Sequence, residues 1–227
     1  ADYDKIVPAP YMRAAFTLNK APQSAQIAIT ALGFYDLYVN GTRITKGILA
    51  PYISNPDQLV VYDLYDVAPL LQKGKNVIGL LLGNGFSNNF GGISWDLEKA
   101  PFRAAPKTAF RVEADGKEVF STASGKVKCA PSPIQWDDYR EGEKYDATKE
   151  IAGWNLPGFD DALWKDAIPA AEPKGRKVCA DFEPIREYKL RTAVRVIPLE
   201  DGFLYDFGVN TAGVPVLKIG GRKGQKV

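Results

Sequence analysis

The fold of this chain is decided by the stretch Ala31-Leu-Gly-Phe-Tyr-Asp-Leu-Tyr-Val-Asn-Gly-Thr-Arg-Ile44. It contains Asn40-Gly41, the dipeptide that best tolerates the positive φ angles of a two-residue hairpin turn. Two further strand-like stretches follow it, Val61-Tyr-Asp-Leu-Tyr-Asp-Val67 and Gly74-Lys-Asn-Val-Ile-Gly-Leu-Leu-Leu-Gly-Asn-Gly-Phe86. A tight hairpin, a strand and an apolar strand that ends in a Gly-Asn-Gly loop predict an antiparallel jelly roll.

The rest of the sequence extends this all-β pattern. Alternation of apolar and polar residues predicts strands with one face in the core, at 14–18, 24–30, 109–114, 118–122, 192–197, 203–207 and 214–219. The alternation fades after Ser124, where prolines and three of the four tryptophans accumulate. We therefore expect an irregular connector from about 125 to 186, with one short helical turn at 160–164.

These patterns predict two domains. Residues 1–186 are expected to form a jelly-roll β-sandwich that includes the connector. Residues 187–227 are expected to be the start of a second β-sandwich. It is expected to be truncated, because the segment is too short to bury a sandwich of its own and ends in an apolar strand without a cap. The fold class is therefore all-β, an antiparallel sandwich followed by the opening strands of a second β domain.

Composition excludes several classes of function. The 227 residues carry 29 basic and 27 acidic side chains, so they lack the basic excess that nucleic-acid binding requires. The longest apolar run, Val77–Leu82, is too short for a membrane span. The chain has no histidine, the commonest general base and metal ligand. Its two cysteines, Cys129 and Cys179, either form a disulfide or are small buried hydrophobic residues.

The loop that follows Gly83 is the best candidate for contact with carbohydrate. Amide side chains both donate to and accept from sugar hydroxyls, and aromatic side chains offer an apolar face. The candidate residues are Asn84, Phe86, Asn88, Asn89 and Trp95. Glycine and asparagine are also what any long turn requires, so a purely structural loop is the alternative.

A second candidate group is an acidic cluster beside Trp136, Tyr139 and Tyr145. Its members are Asp137, Asp138, Glu141, Glu143 and Asp146. It could be a glycosidase dyad, with one carboxyl as general acid and the other ionised. Because these residues all lie within one short segment rather than on opposite sides of a cleft, an inter-domain contact or a cleft wall is favoured. Contact with sugar or calcium stays open, and no metal ligand set is assigned.

Four blocks of sequence occur in a specific order: Ala31–Ile44; Leu49–Pro51 with Val61–Phe86; Asp137–Trp164; and Pro184–Arg186 with Tyr205–Val227. In this order they resemble the N-terminal region of bacterial α-L-rhamnosidases, over essentially the whole chain. Two positions depart from the family pattern. Val209 stands where glutamine is frequent, and Phe86 stands where tryptophan is frequent, which weakens an inherited sugar-stacking role for that position.

The resemblance implies a galactose-binding-like jelly roll that precedes a catalytic (α/α)6 barrel in the same polypeptide. That barrel would hydrolyse rhamnose-containing glycans, whereas this segment alone would be inactive. The resemblance also implies a periplasmic or extracellular protein, although no signal peptide is present in the chain. No cofactor is expected, and calcium is left open. The alternatives are a free-standing carbohydrate-binding module and a structural β-sandwich interaction domain.

Overall fold

The computed structural model describes residues 7–89, 96, 99–222 and 224–225. Contacts divide the chain into two units, Ala1–Ile185 and Arg186–Val227. The described residues contain no α-helix, only short 3-10 segments such as Ala68–Leu70 and Gly85–Asn88. Their strands are β1 (Pro10–Leu18), β2 (Ala25–Leu32), β3 (Phe34–Val39), β4 (Thr42–Arg43), β5 (Leu59–Asp66), β6 (Gly74–Gly83), β7 (Lys107–Ala114), β8 (Lys117–Ser121), β9 (Val127–Pro131), β10 (Ile134–Asp138), β11 (Gly142–Tyr145), β12 (Lys165–Asp166), β13 (Arg176–Cys179), β14 (Arg195–Leu199) and β15 (Gly202–Asp206).

The first unit is a sandwich of two sheets. One sheet has the strand order β12-β9-β1-β6-β3-β4, and the other has the order β13-β5-β2-β7-β8. Their strand pairs are antiparallel, with the exception of β13, which runs parallel to β5. The all-β antiparallel sandwich predicted from the sequence is therefore confirmed.

The core lies between the two sheets and is supplied by the inward positions of each strand. Ile27, Ile29, Leu37 and Leu80 are at most 1% exposed, and the chain neighbours of Ile27, Ile29 and Leu37 are less buried. Burying each such side chain stabilises the fold by about 1.5–3 kcal/mol. Aromatic rings also join the sheets, since Phe16 on β1 lies 6.0 Å from Phe120 on β8, measured between ring centroids.

The hairpin turn forms as its sequence predicts. Asn40 and Gly41 have φ angles of 48° and 91°, the left-handed region that this turn type needs. The Asn40 side chain accepts a hydrogen bond from Val77 N at 2.8 Å and donates to Asn76 Oδ1 at 2.9 Å. The turn residue therefore also ties β3 to the start of β6.

The connector is more regular than expected, because it contains several short strands. It adds β9 and β12 to one sheet and β13 to the other, and it forms the hairpin β10–β11. These strands are short and lie at or near sheet edges, where the neighbouring strand supplies the pairing and local alternation is weak. The helical turn expected at 160–164 is a single turn, in which Trp164 N donates to Asp161 O at 3.0 Å.

The second unit contains one hairpin, β14–β15, which Arg195 and Asp206 close with an ion pair of 3.1 Å. The strand predicted at 214–219 does not form, because described residues 207–222 carry no strand. Pro215 has no N–H to donate to a ladder. That this unit belongs to a second sandwich stays a prediction.

Two further expectations concern cysteine and membranes. Cys129 and Cys179 are both free thiols, on β9 and β13 of different sheets, so the disulfide alternative does not form. Across the part of the chain that the structure describes, no helix has the length and apolar character needed to cross a bilayer.

Candidate functional site

The two groups of candidate residues meet where the loop after β6 contacts the hairpin β10–β11. Asn84 donates from its backbone N–H to Asp137 Oδ2 and from its side-chain amide to Asp137 Oδ1, at 2.7 Å in both cases. Glycine allows the close approach that this loop needs, since a Cβ on Gly33 would lie 2.2 Å from the Gly83 carbonyl oxygen. These glycines therefore bring backbone against backbone within the protein.

The asparagine side chains of the loop are buried. Asn84, Asn88 and Asn89 are all 0% exposed. The Asn88 amide donates to Asn84 Oδ1 at 2.6 Å, and the Asn89 amide donates to Asp138 Oδ1 at 3.3 Å. This arrangement differs from the contact with carbohydrate expected of them, because the amides bind Asn84 of the loop and Asp138 of the hairpin β10–β11. Trp95, the fifth candidate of this set, lies outside the described residues.

Phe86 is the described candidate of the loop that reaches the surface. Its ring packs edge-on against Phe34, with 5.7 Å between centroids, and against Tyr139 at 4.3 Å. Tyr139 is itself 43% exposed. Phe86 and Tyr139 therefore present an apolar surface at this edge of the sandwich, and that surface combines residues from both groups of candidates.

The carboxylates of the hairpin have separate structural partners. Asp138 is 4% exposed and accepts hydrogen bonds from the N–H groups of Arg140 at 2.8 Å and Glu141 at 3.1 Å, which stabilises the hairpin turn. Asp137 binds the same loop through Asn84, and Asp138 also accepts a hydrogen bond from Asn89 of that loop. A general acid needs a carboxyl group that can reach a substrate oxygen. Hydrogen bonds within the protein occupy both oxygens of Asp137 and Oδ1 of Asp138.

The pKa values of two carboxyl groups of the hairpin are raised. Burial raises the pKa of Asp137, although the hydrogen bonds from Asn84 oppose this change. Glu143 is the cross-strand partner of Asp137. Desolvation, and secondly the charge of Asp137, raise the pKa of Glu143. These two carboxyl groups therefore bind protons more tightly than free side chains do.

Tyr145 is the second exposed aromatic residue of the hairpin, at 51%. Its hydroxyl donates to Glu150 Oε1 at 2.6 Å, and desolvation followed by this hydrogen bond raises the pKa of the phenol. No group of three or more potential metal ligands comes together among the residues that the structure describes.

The comparisons with known proteins agree with this architecture. Residues 20–189 match the family described as the α-L-rhamnosidase N-terminal domain. The chain belongs to this family. A curated α-L-rhamnosidase of Formosa agariphila is 31% identical over 96% of this chain and 24% of its own length. The chain thus spans about a quarter of the length of that rhamnosidase.

Solved α-L-rhamnosidase structures contain the same fold. The enzyme from Dictyoglumus thermophilum aligns with a TM-score of 0.79 and 35% identity, over 89% of this chain and 22% of that one. The Streptomyces avermitilis α-L-rhamnosidase, solved in complex with L-rhamnose, aligns with a TM-score of 0.79 and 31% identity, over 89% of this chain and 20% of that one. The rhamnosidase N-terminal fold is thus common to these proteins.

The sequence does not predict the pairing that organises the site of this rhamnosidase N-terminal domain. It predicts separate roles for Asp137, in an acidic cluster, and for Asn84, in a loop that contacts sugar. No local signal connects them, since they are 53 positions apart. The glycines at 33, 83 and 85 were the available clue, because they marked a place where two backbones approach each other.

Proposed function

We propose that this chain is the non-catalytic N-terminal accessory region of an α-L-rhamnosidase, a glycoside hydrolase that acts on rhamnose-containing glycans. One observation carries the proposal. Most of the chain matches the rhamnosidase N-terminal domain family, and it covers only 24% of the curated Formosa agariphila enzyme. In the proposed protein the catalytic domain lies in the same polypeptide and contains the acidic residues that perform hydrolysis.

The local chemistry of the hairpin supports an accessory role. Both oxygens of Asp137 accept hydrogen bonds from Asn84, and Asp138 accepts the N–H groups of its own turn. A general acid needs a carboxyl group that can reach a substrate oxygen. The geometry of these two residues favours a structural role.

We assign Asp137, Asp138, Tyr139, Glu143 and Tyr145 to the surface that contacts the catalytic domain or forms one wall of its cleft. The exposed rings of Tyr139 and Tyr145 are the support for this assignment, because aromatic residues are enriched in protein interfaces. Asp137 and Asp138 would hold the hairpin in position through Asn84 and the hairpin turn. The family resemblance also supports a periplasmic or extracellular location for the proposed enzyme.

The test compares this chain with a longer polypeptide that continues into a catalytic domain. We expect the longer polypeptide to hydrolyse an aryl α-L-rhamnoside and the purified chain alone to give no turnover. Turnover by the chain alone would contradict the accessory role. Loss of all rhamnosidase activity in an intact, folded longer polypeptide would contradict the proposed enzyme.

The assigned contact surface has its own test, the substitution Tyr139→Ala. Because Tyr139 is partly exposed in this chain, its removal should lower the melting temperature of the longer polypeptide more than that of the isolated chain. An equal loss in both proteins would indicate that Tyr139 acts only by packing on Phe86.

A further inference from the structure

A groove of about 560 Å³ crosses the outer face of the five-stranded sheet. It lies within the range of about 300–1,000 Å³ that is usual for ligand pockets. The concavity beside Gly33 and Phe86 has only about 20 Å³, which is room for about one water molecule. Of these two depressions, the groove is the one with space for a ligand.

Small residues form the floor of the groove. Ala28 and Thr30 on β2 point outward, because their neighbours Ile27 and Ile29 are buried in the core. Ala109 on β7 is the cross-strand partner of Thr30 and faces the same side. Alanine is a poor strand former on an exposed sheet face, where longer residues usually cover the backbone. These small side chains leave the centre of the sheet open.

Longer residues form two walls. Ala28 pairs with Leu64 of β5 on one side and with Arg111 of β7 on the other. The two flanking strands are two strand spacings apart, about 10 Å, which leaves room for a sugar ring between them. Tyr62 continues the wall of Leu64, and Glu113 continues the wall of Arg111.

The charges of the groove are balanced within the protein. Arg111 forms an ion pair with Glu113 at 3.2 Å, and Lys177 pairs with Glu172. A neutral ligand complements such a surface better than an ionic one. Gln26, Arg111 and Glu113 supply hydrogen-bond donors and acceptors opposite the aromatic and aliphatic side chains of Tyr62 and Leu64. This combination suits a molecule with an apolar face and hydroxyl groups along its edge.

We infer that this groove binds a neutral oligosaccharide, which lies along β2 between the wall of Tyr62 and Leu64 and the wall of Arg111 and Glu113. Hydroxyl groups bind the polar wall, and the C–H face of a sugar ring packs on Tyr62. The choice of rhamnose as the test sugar rests on the proposed function. The groove itself is a second glycan contact, separate from any catalytic cleft.

The test is calorimetric titration of the full chain with a linear trisaccharide of α-linked L-rhamnose, with cellotriose and with free L-rhamnose. We expect saturable binding of a trisaccharide and weaker binding of the monosaccharide, because one ring fills only part of the groove. Ala109→Trp fills the floor and should weaken binding by about tenfold or more, as loss of a central contact does. Tyr62→Ala should weaken it in the same direction.

Matched controls separate blocking from unfolding. Ala123→Trp places the same side chain at an exposed turn position, and Tyr188→Ala removes a fully exposed tyrosine, so both should bind as the unaltered chain does. No binding of either trisaccharide at millimolar concentration would overturn the inference, as would binding that Ala109→Trp leaves unchanged. If the longer polypeptide hydrolyses rhamnoside while this chain binds no glycan, the inferred glycan site is wrong and the proposed function stands. If this chain binds a trisaccharide while the longer polypeptide hydrolyses no rhamnoside, the glycan site is supported and the proposed function is wrong.

Discussion

Asn84 and Asp137, 53 positions apart in the chain, make two hydrogen bonds of 2.7 Å that join the loop after β6 to the hairpin β10–β11. Each oxygen of the carboxylate accepts one of them. The Asn84 side chain is wholly buried and also donates to the carbonyl oxygen of Val7, at 2.7 Å. This pair therefore holds three segments of the chain together at one edge of the sandwich.

Asp137→Asn should destabilise the domain, because the new amide group places a donor against one of the two Asn84 donors. The expected cost in the free energy of unfolding is about 1–3 kcal/mol, the penalty for leaving a buried donor unsatisfied. Urea denaturation followed by tryptophan fluorescence measures it. Asp36→Asn is the matched control, because Asp36 pairs with the partly exposed Arg43 at the surface. An equal loss of unfolding free energy in both variants would contradict the prediction that burial makes the Asp137 hydrogen bonds more important than the Asp36 pair.

The stability difference between the unaltered chain and Asp137→Asn should fall as pH rises. Burial raises the pKa of Asp137 above its ordinary value of 3.8, so the folded protein holds this proton more tightly than the unfolded chain does. The resulting stabilisation is complete below the unfolded pKa and is lost as pH rises through the folded pKa. Urea titrations between about pH 4 and pH 7 test it. A difference that grows with pH would show that hydrogen bonding to Asn84 outweighs desolvation.

Arg13→Lys should strongly destabilise the first unit. The Arg13 side chain is 1% exposed, and its guanidinium group binds Asp161 at 2.7 Å and the carbonyl oxygens of Leu156 at 3.0 Å and Phe159 at 3.2 Å. Lysine cannot reproduce this planar set of donors. Removing one partner of such a buried pair lowers the free energy of unfolding by about 3–5 kcal/mol. The loss for Arg13→Lys should not exceed this range.

Arg43→Lys is the matched control for that variant. Its pair with Asp36 is partly exposed, and exposed pairs contribute about 0–1 kcal/mol. Urea midpoints of both variants against the unaltered chain decide the comparison. Similar losses for Arg13→Lys and Arg43→Lys would mean that the 154–161 segment is not held by Arg13.

Gly79→Ala should destabilise the sandwich by crowding Trp154. A Cβ at position 79 would lie 2.8 Å from the Trp154 ring and 3.0 Å from Asn155 Cβ. Trp154 is 8% exposed and stacks on Tyr11 with 4.2 Å between centroids, so it has little room to move. Overpacking of this kind costs about 1–3 kcal/mol.

Gly158→Ala provides the control, since a Cβ there meets nothing within 4 Å and should change stability little. Combining Gly79→Ala with Trp154→Ala should reduce the cost of the glycine substitution, because the ring that it crowds is gone. Additive costs in this double-mutant cycle, measured by thermal unfolding, would show that position 79 is sensitive for another reason.

Cys129 should react slowly with alkylating reagents at neutral pH. Burial raises the pKa of its thiol above the ordinary value of 9.0, and the thiolate is the reactive form. The Cys179→Ser variant keeps Cys129 as its one thiol. Mass spectrometry measures the rate at which iodoacetamide alkylates this variant, and this rate is compared with the alkylation rate of free glutathione. The rate should increase as pH rises above 9. Alkylation as fast as that of glutathione at neutral pH would contradict the prediction.

The absence of a disulfide has a separate check. Because Cys129 and Cys179 lie on different sheets as free thiols, the intact mass should be the same with and without a reductant. A decrease of two hydrogen masses in the non-reduced protein would show that the two strands can approach each other after all.

Local sequence was sufficient for the central strands and for the hairpin turn. The alternation of apolar and polar residues in β2 and β3 predicts which side chains enter the core, and Asn40-Gly41 predicts the turn between β3 and β4. The strands β9, β12 and β13, which lie at or next to a sheet edge, were not predictable in this way. Their pairing depends on the neighbouring strand, which lies far away in sequence.

The candidate site was predictable only in part. The sequence located the loop after Gly83 and the hairpin around Asp137 as separate features. It did not indicate that Asn84 and Asp137 bind each other, or that Asn88 and Asn89 are buried. It also gave no sign of the groove over Ala28, because a groove depends on which residues flank a small side chain on neighbouring strands.

The sequence by itself therefore determined that this protein is an antiparallel β-sandwich of the rhamnosidase N-terminal type, because periodicity, turn dipeptides and the order of motifs are properties of neighbouring residues. The tertiary structure alone decided which polar side chains are satisfied inside the protein and which remain available to a ligand. The physical reason is that hydrogen bonding and burial depend on partners that are close in space. In this chain those partners, such as Asn84 and Asp137, are more than fifty positions apart in sequence.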